Sequence, residues 1–246
     1  MLKARHLRNP LRTLAMAYDY YSSAFYDWTH GIRTTKIEPL STLQLTRPEH
    51  LIHANPYLAS QPEDIRSVFK NLEVDFREYC FVDYGCGKGR VMAEAVRHPF
   101  KSVIGIDFAK ELCEACETNL EKVRATQRCG NVQVFQADAT EFDLPQEPCV
   151  IYIYNSFRGP VLAAALERIR KSVEKFPRHV RIAYVTPMLP EFFLQLPDAH
   201  DGAKWANRVL HIIVMFADGL PIIQTFIEVL KVISQLVVAQ DVPMFG

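Results

Sequence analysis

Phe81-Val-Asp-Tyr-Gly-Cys-Gly-Lys-Gly-Arg90 is the stretch on which the fold of this chain turns. The apolar run Cys80 to Tyr84 enters it, and a run from Gly89 to Arg97 leaves it with Val91, Met92, Ala95 and Val96 to one side. That pattern is a strand, a glycine-rich turn and a helix. Such a turn needs glycine because its backbone adopts unusual φ/ψ values and must let a ligand approach closely. In an open α/β sheet it lies at the carboxyl edge, where ligands bind. The spacing is Gly85-x-Gly87-x-Gly89, and not the GxGxxG that seats a pyrophosphate on a helix N-terminus. Asp83 stands two residues before the first glycine. A carboxylate there repels a pyrophosphate and suits a ligand carrying an amino group and a sulfonium.

The chain alternates downstream of this turn. Ser102 to Asp107 reads as a second strand, Lys110 to about Arg124 as a helix with Leu112, Cys116, Leu120 and Val123 inward, and Asn131 to Gln136 as a third strand. Cys149 to Tyr154 and Val180 to Val185 are strands four and five. Between them Pro160 opens a helix striped by Leu162, Leu166, Ile169 and Val173, and a short helix is expected after Pro190. Arg208 to Phe216 and Ile222 to Val232 flank Asp218-Gly219, a hairpin signal. The expectation is a doubly wound, mostly parallel α/β sheet of seven strands that ends in an antiparallel β-hairpin.

Upstream, residues 1–60 read as a helical and loop extension to a domain at 61–246. A helix is expected over about 9 to 26, packing on the domain through Leu11, Leu14 and Tyr18, with loop from His30-Gly31 onward. Ser60-Gln-Pro-Glu63 has the form of a capping box with Ser60 as N-cap, ahead of a stripe of Ile65, Val68, Phe69 and Leu72.

Composition sets outer bounds. The 246 residues suffice for one sizeable domain, and 28 Lys plus Arg balance 28 Asp plus Glu. With no net field, a nucleic-acid or anionic-membrane partner has no global electrostatic support. No apolar run reaches the roughly 18 to 20 residues of a membrane span. Six cysteines, most of them in buried-looking segments, read as reduced thiols of a cytoplasmic protein. Cys113-Glu-Ala-Cys116 lies mid-helix without further ligands, and His50 and His53 also lack them, so no metal site is expected. Lys3, Arg5, Arg8 and Arg12 give the N-terminus a faint likeness to a transit peptide, though an ordinary basic amphipathic helix is the better reading.

The acid-x-Gly-x-Gly-x-Gly turn resembles the first motif of the class I S-adenosylmethionine (SAM)-dependent methyltransferases. Val103-Ile-Gly-Ile-Asp107 resembles the second motif, and Gln136-Ala-Asp-Ala139 the third. The resemblance covers residues 80 to about 187. It implies SAM as cofactor, with Asp83, Tyr84, Gly85, Cys86, Gly87 and Gly89 around its methionine end. It also implies Asp107 and Phe108 at the ribose, and Asp138 and Ala139 at the adenine. An acid ending strand two accepts two hydrogen bonds from vicinal hydroxyls, one on each oxygen. On residues alone, Asp107 as a helix cap and Asp138 as a loop residue stay open. Lys88 and Arg90 are read as solvated or helix-start residues.

Ile151-Tyr-Ile-Tyr-Asn-Ser-Phe157 resembles the Asn/Asp-Pro-Pro-aromatic motif of nitrogen methyltransferases, without its prolines, and the Asn-x-Phe form of some protein-lysine enzymes. The resemblance implies that Asn155, also counted at the cofactor, orients an acceptor nitrogen. Phe157 would stack on a planar acceptor or shield an ammonium. Asn155 as a cap for the helix at Pro160 stays open. Asn55-Pro-Tyr-Leu-Ala-Ser60 resembles a lid over the methionine end, with Tyr57 as its contact, and Thr29 to Thr35 is a loop that would cover the acceptor. The acceptor expected is a protein amine such as lysine, or a small molecule, ahead of nucleic acid. The rivals are a SAM-binding interaction module without catalysis and a dinucleotide-dependent oxidoreductase.

Overall fold

A computed structural model describes residues 10–39, 43–47, 52–154 and 156–185, together with the backbone of 210–215 and 221–225. At its centre lie five parallel strands, β1 (Cys80–Tyr84), β2 (Ser102–Asp107), β3 (Val132–Gln136), β4 (Cys149–Tyr154) and β5 (Val180–Val185), in the order β3-β2-β1-β4-β5. β1 is buried along its whole length, as a central strand covered on both faces must be, whereas β3 is half exposed at the sheet edge. The order reverses between β1 and β4. That is the switch point where such sheets open a crevice beyond their carboxyl ends.

Helices cover both faces. α2 (Pro62–Asn71), α3 (Arg90–Ala95) and α4 (Lys110–Lys122) pack on one side, with Val68, Phe69, Val91, Met92, Cys116 and Leu120 against Phe81, Val103 and Val150. α5 (Gly159–Lys175) covers the other with Val161, Leu162, Ala165, Leu166, Ile169 and Val173. Each such branched side chain contributes about 1.5–3 kcal/mol by leaving water. Gly105 lets α3 sit flat on β2: a Cβ there would lie 2.2 Å from the Met92 sulfur. Among the described residues no helix is long and apolar enough to cross a membrane.

The segment before β1 departs from expectation in three ways. Its helix α1 runs Pro10–His30, four residues beyond the expected end, and its last turn is closed by the Thr29 hydroxyl and His30 Nδ1 on the Tyr26 carbonyl (3.0 and 2.8 Å). Its packed face is Ser23, Tyr26 and Asp27, while Leu14 and Tyr18 point to solvent at 66% and 62% exposure. Leu11's side chain lies outside the described set. Ser60 is not a cap. Pro62 takes the first helical position of α2, so Gln61 becomes the N-cap, with no side-chain bond. The short helix expected after Pro190 lies outside the described residues.

Candidate functional site

The glycine turn is held by the strand beside it. Gly85 and Cys86 both donate to the Ile106 carbonyl (2.8 and 2.9 Å), and Gly85, Gly87 and Gly89 all have φ between +52° and +79°. L-residues avoid that region, so the glycines are conformational necessities. Packing makes them spatial ones too. A Cβ on Gly85 would lie 2.3 Å from Ser156 Oγ, and one on Gly87 2.2 Å from the Tyr57 ring. Gly89 is crowded in the same way by the Cys116 sulfur. Gly87→Ala is therefore expected to destabilise the protein by about 1–3 kcal/mol through strain and the displaced Tyr57 ring, read as a fall in thermal midpoint. An unchanged midpoint would mean that the ring does not seat on the turn.

Beyond this turn opens a cavity of about 960 Å³, counted out into its mouth. Asp83, Gly85 and Cys86 form its floor. Asp107 and Phe108 line one flank, Ala137, Asp138 and Ala139 continue it, and Tyr154, Ser156 and Phe157 close the β4 side. The segment 54–60, including Tyr57, lies over the top. Two backbone links fasten that segment to the β4 side: Asn55 N–H donates to the Ser156 carbonyl (3.2 Å) and Ala54 bridges Phe157.

Three carboxylates face this space from separate elements. Asp107 accepts from Gly87 N–H on Oδ2 (2.9 Å) and from Ala109 N–H on Oδ1 (3.0 Å). Burial pushes its carboxyl up to about 6 against those stabilising bonds. Each carboxylate oxygen has a second lone pair, so both can still accept from a ligand. Asp138 takes Thr140 N–H and Oγ on Oδ1 (2.7 and 2.5 Å), and its carbonyl accepts from Glu141 and Phe142. The turn-stabilising role is therefore real for Asp138, together with its place on the cavity wall. Asp83 is different: it is buried, and its Oδ2 has no hydrogen-bond partner among the described residues. Burial, then the neighbouring Asp107, raises its carboxyl well above the usual range. An orphaned acidic oxygen in the floor of a cavity fits a cationic amino group.

Most of the expected site residues meet here, but not all. Tyr84 points into the other face of the sheet, edge-on to Phe142 at 6.2 Å, and does not line the cavity. Gly87 and Gly89 shape the turn from behind the wall. Asn155 lies outside the described residues, between Tyr154 and Ser156. Arg158, and not Asn155, is the N-cap residue of α5. Cys86 is buried with its thiol pushed up by the Cys116 contact and by burial, which leaves no thiolate for chemistry.

Lys88 and Arg90 overturn the solvated reading. Lys88 is 7% exposed and donates to the Lys36 carbonyl (2.8 Å) and Glu38 (2.9 Å), with its ammonium 5.1 Å over the Tyr57 ring. Arg90, 2% exposed, reaches Asp27 Oδ1 (3.1 Å), the hydroxyls of Ser23, Thr34 and Thr35, and the Ser60 carbonyl. Asp27 also accepts the backbone N–H of Thr34 and Thr35 (2.6 and 2.8 Å). Burial pushes Asp27 up, but the Thr34 bonds and then the Arg90 charge hold it below the usual carboxylate range. Tyr57 O–H donates to the Thr34 carbonyl (2.8 Å), so the same network reaches the cavity roof.

Residues 81–175 match a family described as a methyltransferase domain. That match spans the glycine turn and the elements from β1 to the end of α5. Among solved structures, the chain is similar to a SAM-dependent methyltransferase from Geobacter sulfurreducens in complex with S-adenosyl-L-homocysteine. That match has 17% identity and a TM-score of 0.36, over 46% of this chain and 44% of the other. It is similar to an RNA methyltransferase from Salinibacter ruber in complex with the same molecule, at 20% identity and TM-score 0.35 over 48% of this chain and 69% of that one. It is also similar to the StiE O-MT, at 19% and 0.36 over 52% and 44%. The aligned stretch thus spans less than half of the Geobacter and StiE chains. No curated protein matches the chain.

Proposed function

We propose that this chain is a SAM-dependent methyltransferase acting on a nitrogen acceptor, an amine of a protein side chain or of a small molecule. The observation that carries the cofactor half is the buried, unpartnered Asp83 Oδ2 in the cavity floor. Asp83 would hold the amino group, Asp107 the ribose hydroxyls, and Asp138 with Phe108 and Ala139 the adenine; Tyr57 and the 54–60 segment would act as the lid of a 1–60 extension. A carboxylate in that floor opposes a pyrophosphate, so the oxidoreductase reading falls away. Bound SAM supplies an electrophilic methyl group on a sulfonium.

In-line displacement asks the protein for alignment more than for strong acid or base. Tyr154, Ser156 and Phe157 line the side from which an acceptor would approach, and Asn155 stands among them in sequence. Its carbonyl oxygen would accept from the amine and aim the lone pair. Asp64 and Asp19 bear electrostatically on Tyr154, and Asp64 is raised to about 6 by burial, then Glu63 and Asp19. Carboxyl groups within electrostatic reach of Tyr154 support a basic amine over a phosphate-rich nucleic acid. The domain reading includes a sheet completed to seven strands by a terminal hairpin. Parallel pairing of Leu210–Met215 with β5, and antiparallel pairing with Pro221–Thr225, supports it.

Calorimetry with SAM and S-adenosylhomocysteine tests the cofactor half. Wild type is expected to bind at micromolar level, and Asp83→Asn to bind about 10–100-fold more weakly through loss of one charge-assisted bond. Folded wild type that binds neither ligand would overturn the reading. For the acceptor, Asn155→Ala is expected to lower methyl transfer to protein or small-molecule amines at least about tenfold with cofactor affinity unchanged. Transfer from labelled SAM to RNA alone would overturn the nitrogen-amine assignment.

A further inference from the structure

The outer face of α1 has no partner among the described residues and is anything but polar. Leu14, Tyr18, Tyr21, Phe25 and Trp28 are 66%, 62%, 71%, 64% and 77% exposed. Their steps are 4, 3, 4 and 3 residues, the a/d repeat that keeps one seam facing a partner helix. The face anchored to the domain, Ser23, Tyr26 and Asp27, lies on the far side and is polar apart from one ring. Ordinary amphipathicity is thus inverted: this helix binds its own domain through hydrogen bonds and turns its aromatic face outward.

We propose that this seam is a homodimer interface, in which α1 packs against α1 of a second copy of the chain. Three observations choose that occupant. First, the seam carries no charge and its flanks Ala17, Ser22, Ala24 and Thr29 are small and neutral, the Glu63 carboxylate beside Ser22 being paired with Arg66, so the seam itself presents no like-charge repulsion to a copy. Second, no Lys or Arg occurs between Thr13 and Thr29, so the seam itself offers no cation to an anionic membrane or a nucleic-acid backbone. Third, the area suffices. Aromatic side chains bury about 150–250 Å² each, so four of them at these exposures offer on the order of 500 Å² per helix. Two copies reach about 1,000 Å², the size at which a specific interface holds. Tyr, Trp and Phe are also the residues enriched at interface cores.

The test is sedimentation of the full chain over roughly 1–100 µM, where mass action makes dimerisation visible. The expected mass is twice the 28.2 kDa of one chain. Tyr21→Glu/Trp28→Glu is expected to sediment as a monomer at the same concentrations with an unchanged circular dichroism spectrum. The milder Phe25→Ser should weaken the dimer about tenfold or more, and serves if the double variant misfolds. Wild type that stays monomeric throughout, or a dimer that both variants leave intact, overturns the proposal. A monomer that floats with neutral phosphatidylcholine vesicles assigns the seam to a lipid surface and overturns it equally.

Discussion

Arg90→Met is expected to lower stability by about 3–5 kcal/mol, because it strands Asp27 as a buried charge without its cation. In a chain of this length that is a fall in thermal midpoint of roughly 10 °C. The magnitude follows from geometry. The Asp27 side chain is 12% exposed and that of Arg90 1%, so water cannot replace either partner. The guanidinium also satisfies the Ser60 carbonyl and three hydroxyls contributed by α1 and the segment after it. Lysine keeps the charge but has one nitrogen, so Arg90→Lys should fall between wild type and Arg90→Met. Asp27→Asn/Arg90→Met should recover at least about 1 kcal/mol relative to the sum of the single changes, the sign of direct coupling. A midpoint shift under about 2 °C in Arg90→Met would show that the extension is not pinned through this residue.

That network also marks where sequence reading ran out. The motif residues Asp83, Asp107 and Asp138 were legible because each sits at the end of a strand whose hydrophobic run announces it, and strand ends converge at one sheet edge. The five strands and the inward faces of α2 and α5 were legible for the same local reason. Arg90 was not, since its counter-ion lies 63 residues upstream and pairing over that separation leaves no period in the chain. The nearest hint was Asp27 followed by Thr34-Thr35: an acid and two hydroxyls close in sequence, capable of satisfying a buried cation. The α1 misreading has another cause. A period of 3.5 residues states that one face is apolar, but not whether that face meets its own domain. The Ser60-to-Glu63 pattern failed for a local reason, because Pro62 moved the helix start by one residue and left Ser60 to turn its carbonyl to Arg90.

Asp107→Ala is expected to weaken S-adenosylhomocysteine binding at least 100-fold, and in wild type the same carboxylate should make binding fall as the solution is acidified. Two hydrogen bonds to a charged acceptor contribute about 1.5–3 kcal/mol each, which sets the first magnitude. The second follows from the raised carboxyl of Asp107, about 6 in the ligand-free protein because it is buried. Accepting from both ribose hydroxyls needs the ionised form. Affinity should therefore rise with pH through about 6 and fall by up to about tenfold per unit below it. Asp83, whose carboxyl is also raised by burial and then by Asp107, works in the same direction. Stability of the free protein must respond with the opposite sign. The folded-state value lies above the ordinary 3.8, so the folded protein holds this proton more tightly than the unfolded chain does. Acidification from about 6 to about 4 then adds stability from this group, on the order of 3 kcal/mol, and the addition is lost as pH rises through 6. Thermal scans from pH 8 to 5 with and without S-adenosylhomocysteine separate the two effects. The ligand-induced rise in midpoint should shrink toward pH 5 even though this carboxyl is then stabilising the free protein. A ligand-induced rise that is constant across that range, together with binding retained in Asp107→Ala, would remove Asp107 from the cofactor site and leave it as a backbone acceptor for the glycine turn and the start of α4.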